Sequence, residues 1–283
     1  NREGSMSTLE LSAVRRHFDR AAAGFHTASV LHERVGTELT ERLSLVDLSP
    51  GYILDLGRGT GWCTAFLSHR FGQSAVVGLD LSDAMLRADE KTTVSGLING
   101  DAHRLPLAGQ CVDLIFSNLL LPWCDTQIVF SEACRVLRPG GLFTFSSCGP
   151  DSLRELAAAW AMVDEGPHVH SFSDMHDLGD SLAQSGFSEP VMDVEMLTFT
   201  YRTLEALVAD LRATGARNAL SSRQRGLRGG DQGQRLNKAY ESLRGEDGTL
   251  PLSWEVIYGV AWRPARPVPD RISPDGIPVR VGR

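Results

Sequence analysis

The chain has 283 residues, 42% hydrophobic and 22% charged, with a formal net charge of −7. These values suit a globular chain with a sizeable core, built as one large domain or one domain with an insertion. No apolar run approaches the roughly 18–20 residues of a membrane span, and the acidic balance argues against general nucleic-acid binding, whose main drive is phosphate neutralisation.

Residues 1–8 read as a tail outside the fold. Leu9 to Leu48 has helical periodicity, with Val14, Phe18, Ala21 and Ala22 on one face and Leu31, Val35, Leu39 and Leu43 on another. A break is expected at Ala21–Phe25, where a hinge would let residues 9–48 act as a helical lid. Ile53 to Leu56 then reads as a short buried strand carrying one carboxylate, Asp55. Gly57, Gly59 and Gly61 form a turn, and Trp62 to Arg70 opens a helix. Strand, glycine turn and helix make a nucleotide-type cradle, because glycine lets the backbone approach a ligand closely. The helix N-terminal N–H groups then point at that ligand.

Gln73 to Leu81 is a second strand, ending at Asp80, where an acid can accept hydrogen bonds from both ribose hydroxyls. A helix-capping role is the competing reading of Asp80, but Ser82 and Asp83 can also cap. A third apolar stretch ends at Gly100-Asp101-Ala102, a fourth strand spans Val112–Ser117, and a fifth spans Leu142–Ser146 after the turn Pro139-Gly140-Gly141. Helices are expected over Ala84–Glu90 and Ile128–Leu137. Such alternation requires a parallel sheet with crossover helices, an α/β fold. Residues 49–150 are therefore expected to form the cofactor-binding core.

Beyond residue 150 the pattern gives helices over Pro150–Trp160, 173–187, Leu204–Thr214 and Gln234–Arg244. Strands follow over Val191–Tyr201 and Leu250–Gly259. Residues 151–262 are expected to form a substrate-binding cap and to complete the sheet. Residues 263–283, with five prolines, read as an extended or disordered tail. The cysteines Cys63, Cys111, Cys124, Cys134 and Cys148 are odd in number and never spaced C-x-x-C. They favour free thiols in a reducing compartment, and with no secretory-type amino terminus the expected location is cytoplasmic. No metal-ligand spacing is visible.

Four motifs occur in order: D-x-G-x-G-x-G at Asp55–Gly61, D-L-S-x-x-M-L at Asp80–Leu86, G-D-A-x-x-L-P-L at Gly100–Leu107 and V-D-L-I-F-S-N at Val112–Asn118. Together they resemble the class I S-adenosylmethionine-dependent methyltransferases. The resemblance implies a Rossmann-like sheet with helices on both faces, an amino-terminal helical lid and a helical insertion. It implies S-adenosyl-L-methionine as cofactor, S-adenosyl-L-homocysteine as product and no metal. Cofactor contacts are implied at Asp55, Gly57, Gly59, Gly61, Asp80, Leu81, Asp101, Ala102 and Asn118. Phe18 and Phe25 match the family's leading-helix signature, Phe25 standing where an aromatic lines the pocket, though plain core is the alternative. Position 58 departs from the pattern, with Arg where the family has a small residue. Outward placement of Arg58 is expected, and crowding of the cofactor's methionine end is the alternative.

A narrower resemblance rests on S-L-x-E-L at Ser152–Leu156, Val163-Asp164, Pro167-His168 and Phe172, then Gly215-Ala216-Arg217-Asn218 and Leu250-Pro-Leu-Ser-Trp-Glu-Val256. With Asn118, Trp123 and Cys124 these resemble the malonyl-acyl carrier protein O-methyltransferases of biotin synthesis. The implied acceptor is malonyl-phosphopantetheine on acyl carrier protein, methylated at its free carboxylate, by a protein expected to be monomeric. A carboxylate with a pKa of about 4 is already a nucleophile at neutral pH, so no general base is required. Orientation should supply most of the acceleration. His168 and Arg217 are the candidate orienting groups, while Phe25, Trp123, Phe172 and Tyr201 would wall the pocket. His170 is more often structural. Arg212, Arg217, Arg223, Arg225, Arg228, Arg235 and Lys238, with Arg15, Arg16 and Arg20, form a basic patch suited to an acidic carrier. A solvated loop is the alternative. Two other functions stay open: methylation of another small carboxylic acid or a phenol, and a non-enzymatic cofactor-binding assembly factor.

Overall fold

The computed structural model describes residues 9–88, 94–223 and 230–265. Its centre is a seven-stranded sheet: β1 (Tyr52–Leu56), β2 (Ala75–Asp80), β3 (Gly96–Asn99), β4 (Val112–Ser117), β5 (Leu137–Cys148), β6 (Ser188–Tyr201) and β7 (Leu250–Trp262). The order is β3-β2-β1-β4-β5-β7-β6. The first five strands run parallel, and β7 is antiparallel to both β5 and β6. Chain order reverses between β1 and β4, and ligands bind outside the carboxyl ends of strands at such a switch point.

Alternation along the strands divides the apolar side chains between two cores. Ile53, Leu114, Phe116 and Leu142 face one side, whereas Leu54, Leu56, Ile115, Phe143 and Phe145 face the other. The first side is covered by α2 (Val30–Ser44), α3 (Trp62–Arg70), α6 (Arg154–Ala161), α8 (Leu204–Ala213) and α9 (Gly230–Glu241). The second is covered by α5 (Thr126–Val136) and α7 (Met175–Gln184). The chain is therefore an α/β protein with a Rossmann-like sheet, helices on both faces and two leading helices. The segment after residue 150 supplies β7, which pairs with β5 and so completes the sheet.

Two local expectations change. The helix α1 (Leu11–Ala28) runs unbroken through Ala21–Phe25, and the break falls at Ser29. Ala21, Ala22 and Phe25 are buried together against Met85 of α4 (Asp83–Ala88), so this stretch has a helical face to bury. Gly24 stands in open space, where a helical glycine costs only about 1 kcal/mol. The turn expected at Pro139-Gly140-Gly141 lies inside β5, which begins at Leu137. It forms an irregularity in which Leu137 pairs with Val112 before the ladder resumes at Leu142 opposite Leu114. The carboxy-terminal tail is outside the described residues beyond 265, as are residues 1–8.

Candidate active site

The site is built at the carboxyl ends of β1, β2 and β4. Gly57, Gly59 and Gly61 have φ of 76°, 58° and 93°, the left-handed region that glycine adopts without a Cβ penalty. A Cβ on Gly57 would lie 2.9 Å from Leu120 Cβ, so the turn also needs the space. Asp80, at the tip of β2, accepts from Gly59 N and Ser82 N, both at 2.8 Å. Ser82 does the capping work, its hydroxyl accepting from Met85 N at 3.1 Å. Burial pushes the Asp80 carboxyl up against those two N–H donors and the charge of Arg58. Asp55 is 1% exposed and accepts from Thr64 Oγ1 at 2.5 Å; burial raises its carboxyl to about 6.

Arg58 corrects the expected outward placement. It is buried, at 5% exposure. Its stem lies so close to β2 that any Cβ on Gly78 would overlap Arg58 Cδ. From there its charge bears on both Asp55 and Asp80. A small residue on the neighbouring strand accommodates a cation in the glycine loop.

Asn118 and Ser146 organise the end of β4. Ser146 Oγ accepts from Leu119 N at 2.9 Å and donates to Asn118 Oδ1 at 2.8 Å. Asn118 Nδ2 donates to the carbonyl of His32 at 2.9 Å, which ties α2 to the site. Leu119 holds φ of 55°, a left-handed conformation that a branched residue adopts at a cost of about 1–2 kcal/mol. Asp125 N donates to His103 Nε2, which leaves the imidazole proton on Nδ1 to donate to Asp101 at 2.7 Å.

Two neighbouring cavities that share lining residues lie over these strand ends. One is lined by Gly57, Gly59, Asp80, Leu81, Asp101, Ala102 and Asn118, under Phe18 and Phe25 of α1. It continues past Asp55, Arg58 and Gly61, with Phe25 and Asn118 on both parts. All nine expected cofactor contacts are therefore brought together. The other is a chamber with mostly apolar walls. It is lined by Trp123, His168, His170, Phe172, Tyr201 and Arg217, so each expected acceptor-binding residue except Phe25 reaches it. Chamber and cofactor cavity share His32, Leu119 and Trp123.

The histidines of the chamber are held in place. His168 Nε2 is 2.5 Å from Asp164 Oδ1, and its ring stacks on Trp160 at 3.7 Å. Asp164 also accepts from Gly166 N and Gln232 Nε2, both at 2.8 Å, so this carboxylate organises the 163–168 turn. His170 Nε2 accepts from Ala219 N at 3.0 Å, and burial lowers the imidazole to about 4, leaving it neutral. Tyr201 OH donates to Asp210 Oδ2 at 2.6 Å.

The basic residues divide. Burial, with the nearby charges of Arg212 and Arg20, lowers the Arg217 guanidinium below its ordinary range. Arg223 instead pairs with Glu10 at 2.7 Å, and Arg235 donates to Val163 O at 2.7 Å. Lys238 is exposed on α9. Arg225 and Arg228 lie outside the described residues. Leu119 follows the fourth strand, at the end of the sheet where ligands bind, and so was legible, whereas His32, Ser146 and Asp210 carry no signal in the sequence, since each acquires its place from elements distant in the chain.

A glycine cradle, an acid at the second strand tip and a Rossmann-like sheet with an antiparallel β7 define a class I S-adenosylmethionine-dependent methyltransferase. Residues 54–145 match the methyltransferase domain family. The YcgJ protein of Bacillus subtilis has a similar fold, at TM-score 0.56 and 15% identity, over 81% of this chain and 98% of that one. The malonyl-[acyl-carrier protein] O-methyltransferase of Laribacter hongkongensis is 44% identical over 267 residues, 90% of each chain. That of a Methylovorus species is 43% identical over 279 residues, 94% of each. The chain belongs to the malonyl-[acyl-carrier protein] O-methyltransferase family.

Proposed function

We propose that this chain methylates the free carboxylate of a malonyl thioester carried on acyl carrier protein, forming the malonyl methyl ester for biotin synthesis. The observation that carries the reading is the chamber that meets the cofactor cavity at His32, Leu119 and Trp123. Its walls are mostly apolar and aromatic, with Arg217 on them and Arg20 and Arg212 close by. Such a chamber suits a thioester arm with an anionic end, and the cations suit an acidic carrier outside.

When bound, S-adenosylmethionine supplies an electrophilic methyl on a sulfonium centre. Asp80 would accept from the ribose hydroxyls, the glycine cradle would admit the methionyl part, and Phe18 and Phe25 would cover it from α1, acting as a lid. A carboxylate oxygen of the acceptor forms the O–CH3 bond as the S–CH3 bond breaks, the bonding pair returning to sulfur. No proton moves. The chain's tasks are to align the two reactants and exclude water, and alignment of this kind contributes several kcal/mol, on the order of 7–11 in well-oriented systems.

The test is methyl transfer from labelled S-adenosylmethionine to malonyl-acyl carrier protein, beside malonyl-coenzyme A and acetyl-acyl carrier protein. Label on the malonyl carrier and none on the acetyl carrier is expected. Equal labelling of both, or of neither with cofactor binding intact, overturns the proposal.

A further inference from the structure

Among the described residues, His32 alone lines the chamber and both parts of the cofactor cavity. It stands on the first turn of α2, held there by the bond from Asn118 Nδ2 to its carbonyl and by the edge of Phe25, whose ring centroid is 4.9 Å away. The reacting carbon must lie where chamber and cavity meet, so His32 is beside it. Arg217 lines the chamber but neither part of the cofactor cavity, and so stands away from that junction.

His168 and His170, which also line the chamber, each have Nε2 bonded within the protein, to Asp164 and to Ala219 N, and His103 is bonded to Asp101 and Asp125 N; His17, whose Nδ1 is also buried without a partner among the described residues, lines neither the chamber nor the cofactor cavity. His32 differs. Its Nδ1 is buried and has no hydrogen-bond partner among the described residues, and the residue stands at the junction of the cavities. Nothing there anchors the single imidazole proton, so Nε2 can carry it and offer it to a ligand. Burial also lowers this imidazole to about 4, so it is neutral at physiological pH.

A neutral donor is what this position needs. A cation on the acceptor would withdraw charge from the attacking oxygen, whereas an N–H bond to one carboxylate oxygen fixes its direction and leaves the other nucleophilic. We infer that His32 donates a hydrogen bond to the acceptor's carboxylate and so orients it toward the reacting methyl. The inference rests on the carboxyl-methylation reading. The methionyl carboxylate of the cofactor has the same chemistry, but backbone N–H groups at the start of α3 are available to it.

The experiment compares wild type, His32→Leu, His32→Met and His32→Gln in steady-state methylation of malonyl-acyl carrier protein. S-adenosylhomocysteine affinity is measured by calorimetry and folding by thermal unfolding. His32→Leu should lower kcat about 10- to 100-fold, as expected for losing one bond to a charged group. S-adenosylhomocysteine affinity should stay within about twofold, and the neutral donor in His32→Gln should recover most of the loss. His32→Met gives the same readout if His32→Leu does not fold. Unchanged kcat in the apolar variants overturns the inference, and a His32→Gln as slow as His32→Leu reduces His32 to packing. Loss of S-adenosylhomocysteine affinity in step with kcat assigns the bond to the cofactor's carboxylate instead. Absence of transfer by the wild type overturns the carboxyl-methylation reading itself, and this inference with it.

Discussion

Ser146 shows how much one buried hydroxyl can organise. It takes the N–H of Leu119 and gives its proton to Asn118, which in turn holds the carbonyl of His32. Ser146→Ala would leave the buried Leu119 N and the half-buried Asn118 Oδ1 without this partner, and would loosen a backbone conformation that carries its own cost. The expected loss is about 1–3 kcal/mol of stability, read in urea denaturation, together with weaker S-adenosylhomocysteine binding. An unchanged midpoint would show that the network does not hold Leu119. Asp55 and Asp80 were legible at this scale because a carboxylate at the end of an apolar strand is an anomaly that needs a reason. Ser146 was not, because a serine in an apolar strand signals nothing until its neighbours are known.

At the scale of elements, the glycine loop and β2 were chosen together. Arg58 fits inside the protein because Gly78, on a different strand, has no side chain to oppose its stem. Gly78→Ala should therefore cost about 1–3 kcal/mol through overpacking. In an Arg58→Ser background the same change should be nearly neutral, a coupling that a double-mutant cycle measures directly. Additive effects would mean that Arg58 simply swings away. The pair also explains why the exposed position expected for Arg58 was wrong. Sequence around residue 58 shows a long cation in a tight turn, but the space for it is made twenty residues later. The leading helices teach a related lesson. Gly24 suggested a break in α1, yet the burial of Ala21, Ala22 and Phe25 outweighs one exposed glycine. Ser82 Oγ also donates to Asp19 of α1 at 2.6 Å, so the helix over the cofactor cavity is tied to the turn after β2.

At the scale of the whole molecule, two consequences follow from charge. His17, His32 and His170 are each lowered from 6.5 to about 4, with burial the largest cause in each and the cations Arg217, Arg223, Arg20 and Arg16 adding to it at His17. They are neutral when folded but take up protons when unfolded, so stability is lost as pH falls from about 6.5 toward 4. Asp55 works the other way, since its raised carboxyl binds a proton in the folded state between about 4 and 6. The raised Asp80 carboxyl acts in the same sense as Asp55, and three histidines outnumber two carboxylates, so unfolding near pH 5 takes up protons on balance. The urea midpoint should therefore fall between pH 7 and pH 5, and His170→Phe should flatten that fall; a pH-independent midpoint would contradict it. The second consequence concerns the carrier. Reversing Arg20 and Arg212 to Glu should raise KM for malonyl-acyl carrier protein at least about tenfold at low salt and leave malonyl-coenzyme A turnover little changed, because exposed charges act mainly on encounter. An equal effect on both acceptors would place these arginines in the chamber instead.

The strands, the helices and the glycine turn at Gly57–Gly61 were legible in the amino-acid order. All seven strands could be read from it: the inner ones because burial on two faces leaves apolar runs, β6 because its residues alternate, and a glycine turn states its own backbone need. Only the tertiary structure decided the direction of β7, the inward course of Arg58 and the junction where His32 of α2, Leu119 after β4 and Trp123 meet. The physical reason is that strand and helix signals are local in the chain. A meeting point between cavities depends on strand order and helix docking, which packing settles cooperatively over the whole molecule.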